Sequence, residues 1–488
     1  MQPPANTPMW SARPRPLLLP LFLLLPFSTN KPPMWSGRPR PLLLPLFLLL
    51  FLLFSTPALT QDHPVALKNG KLLTITHGAI ENGILIMQAG KITAVGTTSQ
   101  VAIPADASII DATGMTIYPG LIDSETQLGL TEISAENTTN DLIEMSDEIM
   151  PHMHTADAFH AESALIPVAR LNGITNAVVA PESADTLPGQ DSFIQLFGAS
   201  APQMLLIRDN AMPLNFTGDQ RRNQGGFDKR KFPSTRMGLA AQLRQAFLDA
   251  QDYKAKWAAY DRKKAEAEQD QNNKNQDSKN QNGKDKKPEP TAPKRDLKLE
   301  ALIPYLEGKK IVVLAAESPS DLQTAVGLAN EFKLKFVLNH ISHSQPVLDY
   351  VASLKVPVIV GPIYEAPKDD ERYDAVYSLP AQLYQRGVKI VFASYSAHNV
   401  RNLPDQAGFA TAFGLPPDEA LKAITLNAAE VWGVADQLGS LDVGKNANIV
   451  VANGDPLDIK TDVKQVYIQG TAIPMTSRQT RLRDEYSK

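Results

Sequence analysis

The stretch that decides the fold is residues 116–130, which read Thr-Ile-Tyr-Pro-Gly-Leu-Ile-Asp-Ser-Glu-Thr-Gln-Leu-Gly-Leu. A Pro-Gly corner interrupts this apolar run near its start, and polar side chains follow towards its far end. Because successive side chains of a strand point to opposite faces, Asp123, Glu125 and Gln127 share one face. The stretch therefore predicts a buried strand that presents polar side chains at one end.

This stretch resembles the first barrel strand of the amidohydrolase superfamily, which reads Pro-Gly-x-x-Asp-x-His-x-His. Pro119, Gly120 and Asp123 match the pattern, whereas Glu125 and Gln127 stand at the two histidine positions. In such enzymes the paired imidazoles hold a divalent metal, zinc or manganese, whose bound water becomes the nucleophile. A glutamate can still offer a carboxylate oxygen to a metal, but glutamine offers only a neutral carbonyl. The resemblance implies hydrolysis of non-peptide carbon–nitrogen bonds, of the cyclic amide or amidine type.

A second, distant segment carries the same resemblance. Residues 439–451 resemble the family segment Gly-x-Leu-x-x-Gly-Lys-x-Ala-Asp-Leu-Val, with Asn448 in place of the Asp. Near the other end of the chain, three short strand patterns with tight turns lie within residues 65–96. We therefore predict one small β-sandwich domain that residues 61–116 and 436–476 build together.

Between these segments, apolar strands alternate with amphipathic helices, which is typical of a parallel barrel. The predicted fold class is α/β, with a (β/α)8 TIM-like barrel over residues 117–435. Its later strands are expected at residues 310–315, 334–338, 356–360 and 388–393. An insertion at 217–297 contains a long helix from Met237 to about Glu268. The polar stretch 269–293 that follows is predicted to be disordered, because it has nothing large and apolar to bury; both a surface loop and a lid are compatible with it.

The first sixty residues differ from the rest of the chain. Residues 8–25 recur almost letter for letter as residues 33–50, and each copy has Arg-Pro-Arg-Pro before a leucine-rich run. A basic segment, a short apolar run and small residues near Ala58 are the parts of a secretory signal. The longest uninterrupted apolar stretch, 46–54, is shorter than the roughly twenty residues that a spanning helix needs. We therefore predict a cleaved signal at 1–60, export to a bacterial periplasm or medium, and no membrane insertion after cleavage; an uncleaved anchor is the alternative.

Charge and composition restrict the partners. The whole chain has a net charge of −4, and residues 1–60 carry five basic and no acidic side chains, so the remaining chain has a net charge of −9. An acidic protein disfavours nucleic acid and anionic lipid as partners. The absence of cysteine excludes disulfides, thiolate metal sites and a cysteine nucleophile. We expect a small-molecule substrate, and a homo-oligomer is compatible with the sequence.

The ends of the predicted strands are where a barrel enzyme carries its active site. The resemblance implies two further metal-binding histidines after the fifth and sixth strands and an aspartate after the eighth. Near these positions the chain has Ala315, Glu317, His340, His343, Ser394 and Tyr395. Several of the expected metal ligands are therefore missing.

The polar residues that remain define a candidate site. The predicted catalytic residues, which would position or deprotonate water, are Glu125, His340 and Glu317. The substrate-binding candidates are Gln127, Asp123, Tyr395 and His398, and the metal-ligand candidates are Glu125, His340 and His343. Two alternatives stay open: a metal-free barrel that serves as a binding or scaffold module, and a metal-independent enzyme with His340 and Glu125 as an acid–base pair.

A second His-x-His pattern occurs at His152 and His154, with His160 nearby. No apolar strand precedes it, so exposed loop histidines explain the pattern as well as a metal site does. Two further segments, Pro-Gly-Gln-Asp at 188–191 and His-Asn-Val-Arg-Asn at 398–402, resemble motifs of a secreted, imidazolonepropionase-like branch of the superfamily.

Overall fold

The computed structural model describes residues 63–144, 146–216, 232–233, 235–277, 289–368 and 370–487. The predicted signal at 1–60 lies outside them. In the described ranges, no helix is both long enough and apolar enough to cross a membrane.

The described residues form a mixed α/β structure. Its strands are β1 (Val65–Leu73), β2 (Ala79–Gln88), β3 (Lys91–Thr97), β4 (Ser108–Asp111), β5 (Thr116–Pro119), β6 (Leu121–Thr126), β7 (Ile174–Val179), β8 (Ser192–Gln195), β9 (Leu205–Ile207), β10 (Ala211–Asn215), β11 (Ile311–Ala315), β12 (Lys335–Asn339), β13 (Val358–Val360), β14 (Ile390–Phe392), β15 (Ile449–Ala452), β16 (Val463–Ile468) and β17 (Thr471–Ala472). Its α-helices are α1 (Thr155–Ala158), α2 (Leu165–Leu171), α3 (Ala201–Met204), α4 (Arg236–Asp277), α5 (Leu297–Leu306), α6 (Pro319–Glu331), α7 (Leu348–Ser353), α8 (Ala375–Gln385), α9 (Leu403–Thr411), α10 (Pro417–Ala423), α11 (Leu426–Val431) and α12 (Arg478–Tyr486).

One sheet contains strands from both ends of the chain. Its order is β17-β16-β15-β5-β1-β2-β3, and β4 pairs with β1 beside this path. Strand β5 joins the halves, because it pairs parallel with β1 and antiparallel with β15. Apolar side chains are buried on both faces, for example Leu67 and Leu85 on one and Ile84 and Ile86 on the other. The segments predicted to form a sandwich therefore contribute strands to a single sheet, which buries apolar side chains on both of its faces.

The remaining strands form two sheets, β6–β9 and β10–β14. Strands β10 to β14 are all parallel, and β6 is parallel to β7. Hydrogen bonds also connect the end of β14 to β6: the Tyr395 N–H donates to the Glu125 carbonyl at 3.0 Å, and Thr126 Oγ1 donates to the Ser396 carbonyl at 2.9 Å. Strand β8 instead runs antiparallel to β7. A parallel return needs a crossover, usually helical, and no helix lies between β7 and β8.

Helix α4 extends further than the sequence suggested. Its first turns pack on the core through Leu239, Leu243 and Phe247, and the Phe247 and Phe332 ring centroids are 5.1 Å apart. The helix ends at Asp277, so residues 269–277 of the stretch predicted to be disordered are helical. The correction has a local cause, because extending an existing helix needs no new nucleus and a helix satisfies its own backbone without a core. Residues 278–288 lie outside the described ranges.

The Pro-Gly corner between β5 and β6 is packed too closely for a side chain. A Cβ at Gly120 would lie 2.1 Å from Thr175 Oγ1 and 2.4 Å from Thr175 Cγ2. We expect Gly120→Ala to lower the free energy of unfolding by about 1–3 kcal/mol, since overpacking a tight core forces neighbours apart. Urea denaturation measures the loss, and Thr175→Ala in the same chain should restore part of it. Equal midpoints for Gly120→Ala and wild type would contradict this close packing.

Candidate active site

Three strands bring polar side chains together at their carboxyl ends. Glu125 lies in β6, Asn339 is the last residue of β12, and Tyr395 follows β14. The Asn339 Nδ2 donates to Glu125 Oε2 at 2.6 Å. The Tyr395 hydroxyl and the His340 backbone N–H (2.8 Å) both donate to Asn339 Oδ1. Asn339 thus links Tyr395 to Glu125 and orients the Glu125 carboxyl group.

Asp123 connects β6 to the segment after β14. Its side chain is fully buried, and its Oδ1 accepts the backbone N–H groups of Glu125 (3.2 Å) and Ser394 (3.0 Å). Burial raises the pKa of Asp123 to about 7 against the effect of these hydrogen bonds. Asp123 was predicted to bind substrate, and the structure gives it contacts that hold the site's backbone in place.

Burial controls the protonation of Glu125. Removal from water raises the pKa of its carboxyl group to about 8; the hydrogen bond from Asn339 opposes this shift, and the nearby Asp123 charge adds to it. At neutral pH most Glu125 side chains therefore carry a proton. A carboxylic acid in this state can donate a proton to a leaving group.

The pKa of His340 is shifted in the opposite direction to that of Glu125. Its backbone has a positive φ of 55°, and its ring lies 4.6 Å from the Tyr395 ring, centroid to centroid. Its Nε2 atom is buried and has no hydrogen-bond partner in the described ranges. Burial lowers the pKa of His340 to about 4, so the imidazole is neutral at pH 7. A neutral imidazole with a free nitrogen can accept a proton.

Asp191 is a site residue that the sequence reasoning did not select. Its carboxyl group is buried, and its Oδ1 has no hydrogen-bond partner within the part of the chain that the structure describes. Burial together with the charge of Glu125 raises its pKa. Its loop is held by Gln190, whose Nε2 donates to the Pro151 carbonyl at 2.9 Å and whose Oε1 accepts the Tyr305 hydroxyl at 2.7 Å. The Pro-Gly-Gln-Asp motif was the available signal, but Asp191 ends no predicted strand. Asn339, next to His340, was missed as well.

The other predicted residues lie outside the group that Asn339 connects. Glu317 and Gln127 are half-buried at the ends of β11 and β6, and His398 is exposed. His343 Nδ1 lies 2.8 and 2.9 Å from the two carboxylate oxygens of Glu371. This pair lines a separate cavity of about 780 Å³, between the segments that follow β11, β12 and β13. His343, predicted as a metal ligand, is thus engaged by a carboxylate.

The second His-x-His pattern has separate partners. His154 Nδ1 lies 2.6 Å from Asp209 Oδ1, and His160 Nε2 lies 3.1 Å from Asp141 Oδ2. His152 is partly buried, which lowers its pKa. The pattern therefore does not converge on one point.

The residues at the expected metal positions do not fit the zinc or manganese centre of the family. Gln127, Ala315 and Ser394 stand where imidazole or carboxylate ligands are expected, and a thiolate is excluded by composition. Among the described side chains, no three His, Cys, Asp or Glu residues come together in a way that could hold a metal ion.

Comparison with known proteins identifies the family. The model of the amidohydrolase family matches residues 321–473. The solved structure of an amidohydrolase from Thermotoga maritima MSB8 is similar with a TM-score of 0.71 and 26% sequence identity, over 85% of this chain and 100% of that chain. The chain belongs to the amidohydrolase superfamily. The superfamily that the sequence resembles is thereby confirmed, and the family model includes the segment 439–451.

Curated members of the amidohydrolase superfamily are similar over different lengths. Amidohydrolase tasK of Hapsidospora irregularis is 26% identical over 411 residues, which are 80% of this chain and 40% of that protein. Imidazolonepropionase of Shewanella baltica (strain OS185) is 45% identical over 60 residues, 12% of this chain and 14% of that protein. These matches span less than half the length of both relatives.

Proposed function

We propose that this protein hydrolyses non-peptide carbon–nitrogen bonds of the cyclic amide or amidine type, with Glu125 and His340 as its acid and base. The observation that carries the proposal is their place at two strand ends that Asn339 connects, in surroundings that raise the pKa of Glu125 and lower that of His340. A buried carboxylic acid and a neutral imidazole lie at the ends of β6 and β12, and Asn339 contacts both residues. Membership of the superfamily and relatives named amidohydrolase and imidazolonepropionase support this type of reaction.

In the proposed reaction, His340 Nε2 takes a proton from water as the water oxygen attacks the carbon of the carbon–nitrogen bond. When that bond breaks, the Glu125 carboxyl group gives its proton to the leaving nitrogen. Exchange with solvent then removes the proton from His340 and returns one to Glu125. Asn339 and Tyr395 hold the Glu125 carboxyl group in place throughout.

The same proposal extends to fold and location. We propose that β6, β7 and β10–β14 belong to the family's TIM-like barrel, which the hydrogen bonds between the end of β14 and β6 support. Export through the segment 1–60 is also proposed, on its basic and leucine-rich composition.

The acid–base pair predicts a plateau in the pH profile. His340 must be neutral, which holds above its pKa of about 4, and Glu125 must be protonated, which holds below its pKa of about 8. We therefore expect kcat for a cyclic amide or amidine to be constant between these values and to fall on both sides. The purified protein should keep this activity in a chelator such as EDTA.

Two controls make this assay decisive. His340→Asn keeps a residue type that tolerates the positive φ of 55° but removes the base, so kcat should fall by about 100-fold or more. Turnover that a chelator abolishes and zinc or manganese restores would contradict the acid–base pair.

A metal-free binding module is the second candidate. It is favoured by the neutral residues Gln127, Ala315 and Ser394 at expected ligand positions. Ligand binding to the purified protein, with no turnover of cyclic amides or amidines in the presence or absence of metals, would support this candidate over the hydrolase.

A further inference from the structure

The candidate active site contains carboxyl groups that are buried without a cation. Asp123, Glu125 and Asp191 are 0%, 8% and 1% exposed. Burial raises the pKa of each; the charge of Asp123 adds to the shift of Glu125, and the charge of Glu125 adds to that of Asp191. In the described part of the chain, no Lys or Arg is among the charges that lower these pKa values. A carboxyl group buried in this way is disfavoured as soon as it ionises, so a cation that entered the site would stabilise the ionised form.

The same site has polar atoms without hydrogen-bond partners. Asp191 Oδ1, Asp123 Oδ2 and His340 Nε2 are buried and have no partner among the described residues. Natural proteins leave few buried polar atoms unsatisfied. Perturbed and unsatisfied groups of this kind are concentrated at functional sites. A substrate that donates hydrogen bonds would satisfy the carboxyl oxygens in their ionised form.

An aromatic side chain, Tyr395, is connected to one of these carboxyl groups. The Tyr395 ring lies 4.6 Å from the His340 ring, and the Tyr395 hydroxyl is joined to Glu125 through Asn339. Aromatic faces next to carboxylates favour organic cations. A planar amidinium combines positive charge with several N–H donors, and a carboxylate can accept two of them side by side.

We infer that the substrate carries a positively charged amidinium or ammonium group and that Asp191 is the residue that recognises it. The inference rests on the proposed function, since Glu125 and His340 belong to the reacting centre. Asp191 is suited to recognition because Glu125 already accepts a hydrogen bond from Asn339, whereas no described residue donates to Asp191 Oδ1. The loop contacts of Gln190 fix the position of Asp191 before any ligand binds.

A pair of small probes tests this inference without turnover. Acetamidinium chloride and acetamide have the same number of heavy atoms and the same planar shape, but only the first is charged. We expect acetamidinium to raise the melting temperature of the purified protein at pH 8, and acetamide or equimolar sodium chloride to leave it unchanged. Asp191→Asn should weaken acetamidinium binding by tenfold or more, whereas Asp436→Asn, which removes the same charge at an exposed position, should not.

Several results would overturn the inference. Equal stabilisation by acetamide, or unchanged acetamidinium binding by folded Asp191→Asn, removes the case for a charged substrate. Saturable binding of zinc, manganese or magnesium that acetamidinium does not displace would also remove the case for a charged substrate. If Asp191→Asn fails to fold, Glu125→Gln replaces it, because loss of a neighbouring carboxyl group must also weaken acetamidinium binding. Hydrolysis of neutral cyclic amides as fast as of cationic cyclic amidines would reject this inference and leave the proposed hydrolase intact.

Discussion

Glu125→Gln is expected to lower kcat by about 10²- to 10⁴-fold, the usual contribution of a general acid. Glutamine has the same shape, and its Oε1 can still accept the hydrogen bond that Asn339 donates to Glu125 Oε2 at 2.6 Å. The variant therefore removes the transferable proton and little else. Initial rates with a saturating cyclic amide or amidine measure the loss, with circular dichroism as the check on folding.

The same variant should be more stable than wild type in alkaline solution. The pKa of Glu125 is raised from 4.5 to about 8 in the folded protein. The folded protein therefore binds this proton more tightly than the unfolded chain does. Wild type is then most stable below pH 4.5 with respect to this group and loses stability as the pH rises through about 8. Because glutamine does not titrate, the free energy of unfolding of Glu125→Gln relative to wild type should increase between pH 5 and pH 9. Urea denaturation at each pH measures this difference. Full activity, or an advantage that shrinks with rising pH, would show that Glu125 is not a buried acid.

Asp123→Ala is expected to lower the free energy of unfolding by about 2–5 kcal/mol. It leaves the buried N–H groups of Glu125 and Ser394 without the Oδ1 acceptor, and each unsatisfied group costs about 1–3 kcal/mol. Both groups lie on the backbone that connects β6 to the segment after β14. We therefore expect the loss of stability to be accompanied by a loss of activity.

Asparagine at position 123 is the matched control. Its Oδ1 can accept the same two N–H groups, so Asp123→Asn should retain most of the stability that Asp123→Ala loses. The comparison is best made by urea denaturation at pH 5, below the pKa of about 7 that burial gives Asp123. As the pH rises through that value the wild-type carboxyl group ionises at a cost, and the loss caused by Asp123→Ala should become smaller. Equal losses for the alanine and asparagine variants would mean that the two hydrogen bonds contribute little.

Local signals in the sequence predicted much of the fold. The Pro-Gly corner separates β5 from β6 where expected, and β11 (Ile311–Ala315) and β12 (Lys335–Asn339) lie within one residue of their predicted positions. Apolar runs of this length are short-range features, and the side-chain alternation within them needs no distant partner. The antiparallel direction of β8 was not predictable in this way, because it depends on how the chain returns after β7.

The candidate site shows the same contrast between local signals in the sequence and contacts that form only in the fold. Glu125 and His340 could be selected because strand ends of a parallel sheet meet at one edge. Asp191 could not, since it belongs to a loop, and His343 was assigned to a metal although Glu371 contacts it. The contact with Glu371 could not be foreseen, because that partner lies 28 positions away in the sequence.

The sequence by itself determined the superfamily, the positions of the main strands and the replacement of the family's metal-binding histidines by Glu125 and Gln127, because these are properties of contiguous residues. Only the tertiary structure decided that Asn339, 214 positions away, bonds to Glu125, and that Glu125 lies close enough to Asp191 to raise its pKa. It also decided the protonation of Glu125 and His340. Desolvation and neighbouring charge set those pKa values, and both arise only when the folded chain surrounds the two side chains.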